Sequence, residues 1–119
     1  VAQAAVSRSD RQFREAAMQY DAAARFLRGA GRYGDMALVL EDSAQAWADA
    51  GEPGLAADRW HRSARSALAA GAVEHAGDLI KKGSQAAAEG GDKSLQAAFG
   101  RLQAELGRAA AAAGSKTEP

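Results

Sequence analysis

The chain has 119 residues, no cysteine, and 15 basic against 15 acidic side chains, so it fits one small domain without disulfides or thiolate metal sites. Balanced charge excludes a global attraction to nucleic acid or to an anionic membrane, and no apolar run approaches the roughly 20 residues that span a bilayer. Alanine at 33 of 119 positions, with only two prolines and few β-branched residues, selects an all-α fold.

In chain order, the first predicted helix covers about residues 10–29, with Ser9 and Gln12 as a candidate capping box. It stops at Ala30-Gly31, because a glycine after a run of helix formers supplies the left-handed residue that ends a helix cheaply. The second, 35–50, stops at Ala50-Gly51; the third, 54–70, starts on Pro53, which needs no donor in a first turn, and stops at Ala70-Gly71. The fourth, 73–89, stops at Gly90-Gly91, and the fifth, 93–112, is capped by Asp92. The stops recur every 20 residues. A single domain over 1–113 follows, with a disordered tail over 114–119. The chain opens on Val1 rather than Met, from which we expect it to be part of a larger chain or assembly. The expected compartment is the cytoplasm.

Aligning the segments on their glycines produces four columns: Phe13, Tyr33, Pro53, Val73; then Ala17, Ala37, Ala57, Gly77; then Tyr20, Leu40, Trp60, Ile80; then Ala24, Ala44, Ala64, Ser84. Separations of 4, 3 and 4 lie along one helical face. Large and very small side chains alternate on it, which suits antiparallel helices in close contact. The last helix is out of phase, with its apolar stripe at Leu95, Phe99, Leu102 and Leu106, and is expected to cover the helix before it.

Two-helix units of even period resemble the tetratricopeptide-like superfamily. Trp60, Ala64, Gly71, Ala76, Ile80 and Gly83 carry the resemblance; Tyr20, Ala24, Leu27, Gly31 and Leu40 repeat it, with Ala37 and Ala44 displaced by one residue. Phe99, Leu102 and Leu106 resemble the start of a third unit, and Pro53 the proline between units. Tyr20 and Trp60 are 40 residues apart rather than the 34 of the common repeat, closer to the soluble NSF-attachment proteins and the long-repeat bacterial regulators. The resemblance implies antiparallel hairpins stacked as a short right-handed α-solenoid of about five helices. It also implies a protein–protein interaction role, as adaptor or scaffold, with the first helices of the hairpins lining a groove. Met18, Asp21, Arg25, Arg28, Asp58, His61, Arg65 and Arg108 would look into that groove. There is neither an aromatic membrane-inserting loop nor a C-terminal leucine, so a membrane-fusion adaptor is not implied.

The other chemistry-bearing residues support less. His75 with Glu74 and Asp78 suggests a metal site, but one imidazole and two carboxylates near a helix start read better as solvated side chains. His61, three residues after Asp58, reads as a surface hydrogen-bond partner. No ordered nucleophile–base–acid set or phosphate-binding glycine loop exists, so no enzyme, metal or cofactor is expected. Charge is sorted instead: residues 12–31, 52–71 and 92–111 each carry a net +1, whereas 32–51 and 72–91 carry −3 and −1. Attraction between neighbouring helices accounts for this, and so does a mildly basic groove for an acidic segment or carboxyl end of a protein or peptide partner. The alternative is a structural fragment of a longer solenoid, or an oligomerisation bundle without a groove.

Overall fold

The structure, a computed structural model, describes residues 2–117, with side chains from 9 to 113. Five α-helices and no strand make up the described residues: α1 Ala2–Gly29, α2 Tyr33–Asp49, α3 Pro53–Ala69, α4 Val73–Glu89 and α5 Lys93–Thr117. Ser9 lies inside α1 rather than at its start, so it caps nothing. Alanine, glutamine and arginine on both sides of Ser9 extend the helix past that signal. At the other end α5 runs on to Thr117, past the boundary expected at 113.

The four connections are built alike. Gly31, Gly51, Gly71 and Gly91 take φ between +68° and +78°. In each, the glycine N–H donates to the carbonyl three residues back, as Gly51 does to Ala48 at 3.0 Å, and the next N–H reaches five back, as Glu52 does to Trp47 at 2.9 Å. This paired closure is the Schellman motif, which satisfies carbonyls that a helix end leaves orphaned. Pro53 occupies the first turn of α3. Asp92 Oδ1 accepts the Leu95 N–H at 2.9 Å at the start of α5. Such short connections reverse the chain, so neighbouring helices run antiparallel and each packs on the next; α5 also reaches α3. The resulting body measures 65 × 32 × 19 Å, with a radius of gyration of 15.7 Å, against about 13–14 Å for a compact domain of this length.

The small columns are where helices meet. Ala17, Ala37, Ala57, Ala24, Ala44 and Ala64 are at most 3% exposed. The large column is buried at Leu40, Trp60 and Ile80 but not at Tyr20, which is 37% exposed because no helix precedes α1. Phe13, inside α1, and Tyr33, at the start of α2, also remain exposed. Alignment on the glycines missed a further column at Ser43, Ser63 and Gly83. Ser63 Oγ donates to the Ala37 carbonyl at 2.6 Å, and Ser43 Oγ to the Ala17 carbonyl at 3.4 Å, each pinning a helix to the one before it. Both serines are fully buried.

At α4 the same position is glycine because the ring of Phe99 takes the space. A Cβ on Gly83 would stand 2.2 Å from Phe99 Cζ and 2.8 Å from Trp60 Cβ. Phe99 and Leu102 are buried, with Leu95 and Leu106 packed beside them, so the out-of-phase stripe of α5 is the surface that covers α4. Gly83→Ala should therefore lower stability by at least about 1–3 kcal/mol, the usual cost of overpacking, despite the better helix propensity of alanine. Thermal melting reads this, and an unchanged or raised midpoint would show that Phe99 can leave the notch freely.

Candidate functional site: an arginine-rimmed cleft

α1 and α3 run in the same direction on either side of α2, and between them lies an open cleft of about 500 Å³. From α1 come Asp21, Ala24, Arg25 and Arg28; from α3 come Arg59, Arg62, Arg65, Ser66 and Ala69. Tyr33, Met36 and Leu40 of α2 form the floor between them. Positions 21, 25 and 28, like 59, 62, 66 and 69, lie along one face of their helix, so each helix contributes one wall. The walls therefore hold five arginines and one carboxylate over an apolar base.

At one end of the cleft a fixed network consumes part of this charge. Arg59 makes a fork on Asp21, Nε to Oδ1 at 3.0 Å and Nη2 to Oδ2 at 3.1 Å, joining α1 to α3. From α2, Ser43 Oγ donates to Asp21 Oδ1 and Trp47 Nε1 donates to Oδ2 at 3.3 Å. Burial opposes ionisation of Asp21, but these donors, Arg59 first, outweigh it and hold the carboxyl below its ordinary range. Burial likewise disfavours the charge on Arg59, and Asp21 with Asp58 more than restores it. Asp58 bonds Arg59 and also takes Arg62 Nε at 2.9 Å. Arg25, Arg28 and Arg65 have no ion-pair partner among the described residues, and all three are exposed.

Of the residues expected in the groove, Asp21, Arg25, Arg28 and Arg65 line this cleft, whereas Met18, Asp58, His61 and Arg108 do not. Arg59, Arg62, Tyr33 and Met36 line it without having been singled out. Each helix has two flanks. The flank of α3 that meets α1 carries positions 59, 62, 66 and 69; its other flank, with His61, turns to α5. His61 stands edge-on to Phe99, with ring centroids 5.0 Å apart. Burial lowers its pKa, against the hydrogen bond with the Ala98 backbone. It is a side chain packed on Phe99 rather than the surface partner of Asp58. Taking one column per helix merged the two flanks, and the three-residue spacing of Arg59, Arg62 and Arg65 on α3 was the available clue.

His75 departs from expectation in the same way. Its Nε2 lies 2.9 Å from Glu41 Oε1, and Lys82 Nζ lies 3.3 Å from Glu41 Oε2, so α4 is tied to α2. Burial opposes the charge on Glu41, while His75 and Lys82 hold its pKa down. Among the described residues no group of three or more potential ligands could hold a metal ion. No described helix is long and apolar enough to cross a membrane. No protein family, curated protein or solved structure matches the chain.

Asp21→Asn should cost about 1.5–3 kcal/mol, since it strips a charged acceptor from a half-buried arginine and from Ser43 and Trp47. Because the folded-state pKa of Asp21 is depressed, its contribution is present above the unfolded value, about 3.9, and is lost as pH falls through the lower folded value. The gap between the melting points of parent and variant should then narrow as pH falls below the ordinary carboxylate range. A constant gap between them at every pH would place the cost in packing instead.

Proposed function

We propose that the chain is a protein–protein interaction module, an adaptor or scaffold. In this reading α1–α2 and α3–α4 are hairpins of a short right-handed, tetratricopeptide-like solenoid, and α5 closes the stack. A partner's acidic segment or carboxyl end lies in the cleft between α1 and α3.

One observation carries this reading: three arginines without ion-pair partners among the described residues, Arg25, Arg28 and Arg65, converge on a concave, apolar-floored cleft in a chain of zero net charge. Exposed arginine beside arginine is unfavourable by itself and becomes favourable when an anion lies between them. The guanidinium fork donates two hydrogen bonds to one carboxylate. Arginine does not exchange protons near neutral pH, so these walls suit capture better than acid–base catalysis. The Asp21–Arg59 fork holds α1 and α3 at a set separation, so the cleft is preorganised and little ordering cost falls on binding. Leu40, Met36 and Ala24 can receive an apolar side chain of the same segment.

A fluorescent glutamate-rich peptide with a leucine among the acids tests this directly. Binding should weaken as salt rises toward about 0.5–1 M, where screening acts within a few ångströms. Arg25→Glu with Arg65→Glu should reduce binding by about tenfold or more while the helical signal and melting point stay near the parent's, because both side chains are exposed. If that variant binds as before, or binding does not weaken with salt, the cleft is not the site.

A further inference from the structure

The free arginines of the cleft stand level with one another. Arg14 pairs with Glu52 at 2.9 Å and Asp21 with Arg59 at 3.0 Å, each across 38 positions, so α1 and α3 keep one register between these two ties. Carried forward by the same offset, Arg65 of α3 stands level with Leu27 of α1, between Arg25 and Arg28. Arg25 and Arg28 are themselves only about 4.5 Å apart along the helix axis. Three guanidinium side chains therefore leave two facing walls within a single turn.

Charge is graded along the cleft accordingly. At the level of Asp21 the arginines are already held, Arg59 in its fork on Asp21 and Arg62 on Asp58. One turn further on, Arg25, Arg28 and Arg65 have no carboxylate among the described residues. Tyr33 lines the cleft at this same end, where α2 begins beside the end of α3; a Cβ on Gly34 would lie 3.9 Å from Ala70 Cβ. Its phenol adds a hydroxyl donor to the cationic end.

The occupant has to match three cations gathered within one turn. Acidic residues on the same side of an extended segment are spaced about 6.6 Å apart, so one residue of such a run falls within this turn, and its carboxylate brings one charge and two oxygens. A phosphate monoester brings about 1.5 to 2 negative charges and three acceptor oxygens on one phosphorus. Several arginine forks can bond one such group together.

We infer that the cleft reads a phosphorylated serine or threonine in the partner's segment, with the phosphate between Arg25, Arg28 and Arg65. The inference rests on the peptide-binding reading of the cleft and adds its regulation: phosphorylation of the partner switches docking on. Met36 and Leu40 beneath receive an apolar side chain next to the phosphorylated residue.

Fluorescent peptides that share a leucine and differ at one site test it, the site being serine, phosphoserine, or a pair of glutamates that matches the phosphate charge. The phosphoserine form should bind about tenfold or more tighter than the glutamate form, and the serine form more weakly than both. Lowering the pH from about 7.5 to about 5 should weaken the phosphoserine form by about threefold or more, because a phosphate monoester takes up its second proton near pH 6. The glutamate form should change little over that range, and it reports any change in the protein itself, His61 near Arg65 included. Arg25→Gln, Arg28→Gln and Arg65→Gln should each remove most of the preference for phosphoserine without moving the melting point, since all three side chains are exposed. If the phosphoserine and glutamate forms bind alike, and Arg25→Glu with Arg65→Glu abolishes both, the phosphate inference falls while the acidic-segment reading stands. If neither form binds, both fall. Binding to vesicles containing phosphatidylinositol 4-phosphate, with none to the phosphoserine peptide, would also overturn the inference and assign the arginines to a lipid headgroup.

Discussion

Four glycines in the left-handed region set everything else in this molecule. Each lets the chain close a helix with the same pair of backbone hydrogen bonds and restart three residues after the helix ends. Because the spacing never varies, the three inner helices have equal length, and from α2 to α4 a residue 20 positions along occupies the corresponding place on the next helix. Alanine can then serve as the contact surface between α1, α2 and α3. Its single methyl group holds the backbones little apart, and the buried serines of α2 and α3 find a carbonyl of the preceding helix at the same offset.

The cost of an alanine-rich interior is a shortage of apolar volume, and a few large side chains make it up. Trp60 is central among them: its Cβ abuts Gly83, it packs in the cluster with Leu79, Ile80, Phe99 and Leu102, and Lys82 lies over its ring at 5.4 Å. Polar ties are used where the core thins. Toward α1 the apolar cluster is small, formed by Ala17, Ala46, Trp47 and Ala56. There Asp21 gathers Arg59, Ser43 and Trp47 from the next two helices. A half-buried carboxylate with this many donors fixes geometry more than it adds stability. The geometry it fixes is that of the cleft beside it.

The charge pattern serves these purposes on different sides of the stack. Glu41 of α2 meets Lys82 and His75 of α4, and Arg14 of α1 meets Glu52 just before α3, where the interaction is structural. Arg25, Arg28 and Arg65 stand outside that pairing. An exposed pair contributes little to folding, so an unpaired exposed arginine costs little either, and three on one concave surface are retained at small expense to the fold.

Much of the architecture was legible because its determinants are local. Helix formers, left-handed glycines, Pro53 and Asp92 act within a few residues, so five helices and their turns could be placed from sequence, and a 20-residue alignment exposed the buried alanines. Ser9 misled because a capping signal has no force when good helix formers continue on both sides. The residues that depend on which flank meets which neighbour could not be read in the same way. Tyr20 has the same spacing as Trp60 yet lies exposed, because burial requires a helix before it. His61 and Arg59 are two positions apart, and only the packing sends one to Phe99 and the other to Asp21. Gly83 looks like any small residue until Phe99 arrives from α5. The sequence by itself determined the period, the helices and the small joints, since those follow from backbone preference and side-chain size. Tertiary structure alone decided which arginines are neutralised and which line the cleft, because that depends on contacts between residues about 38 positions apart across three helices.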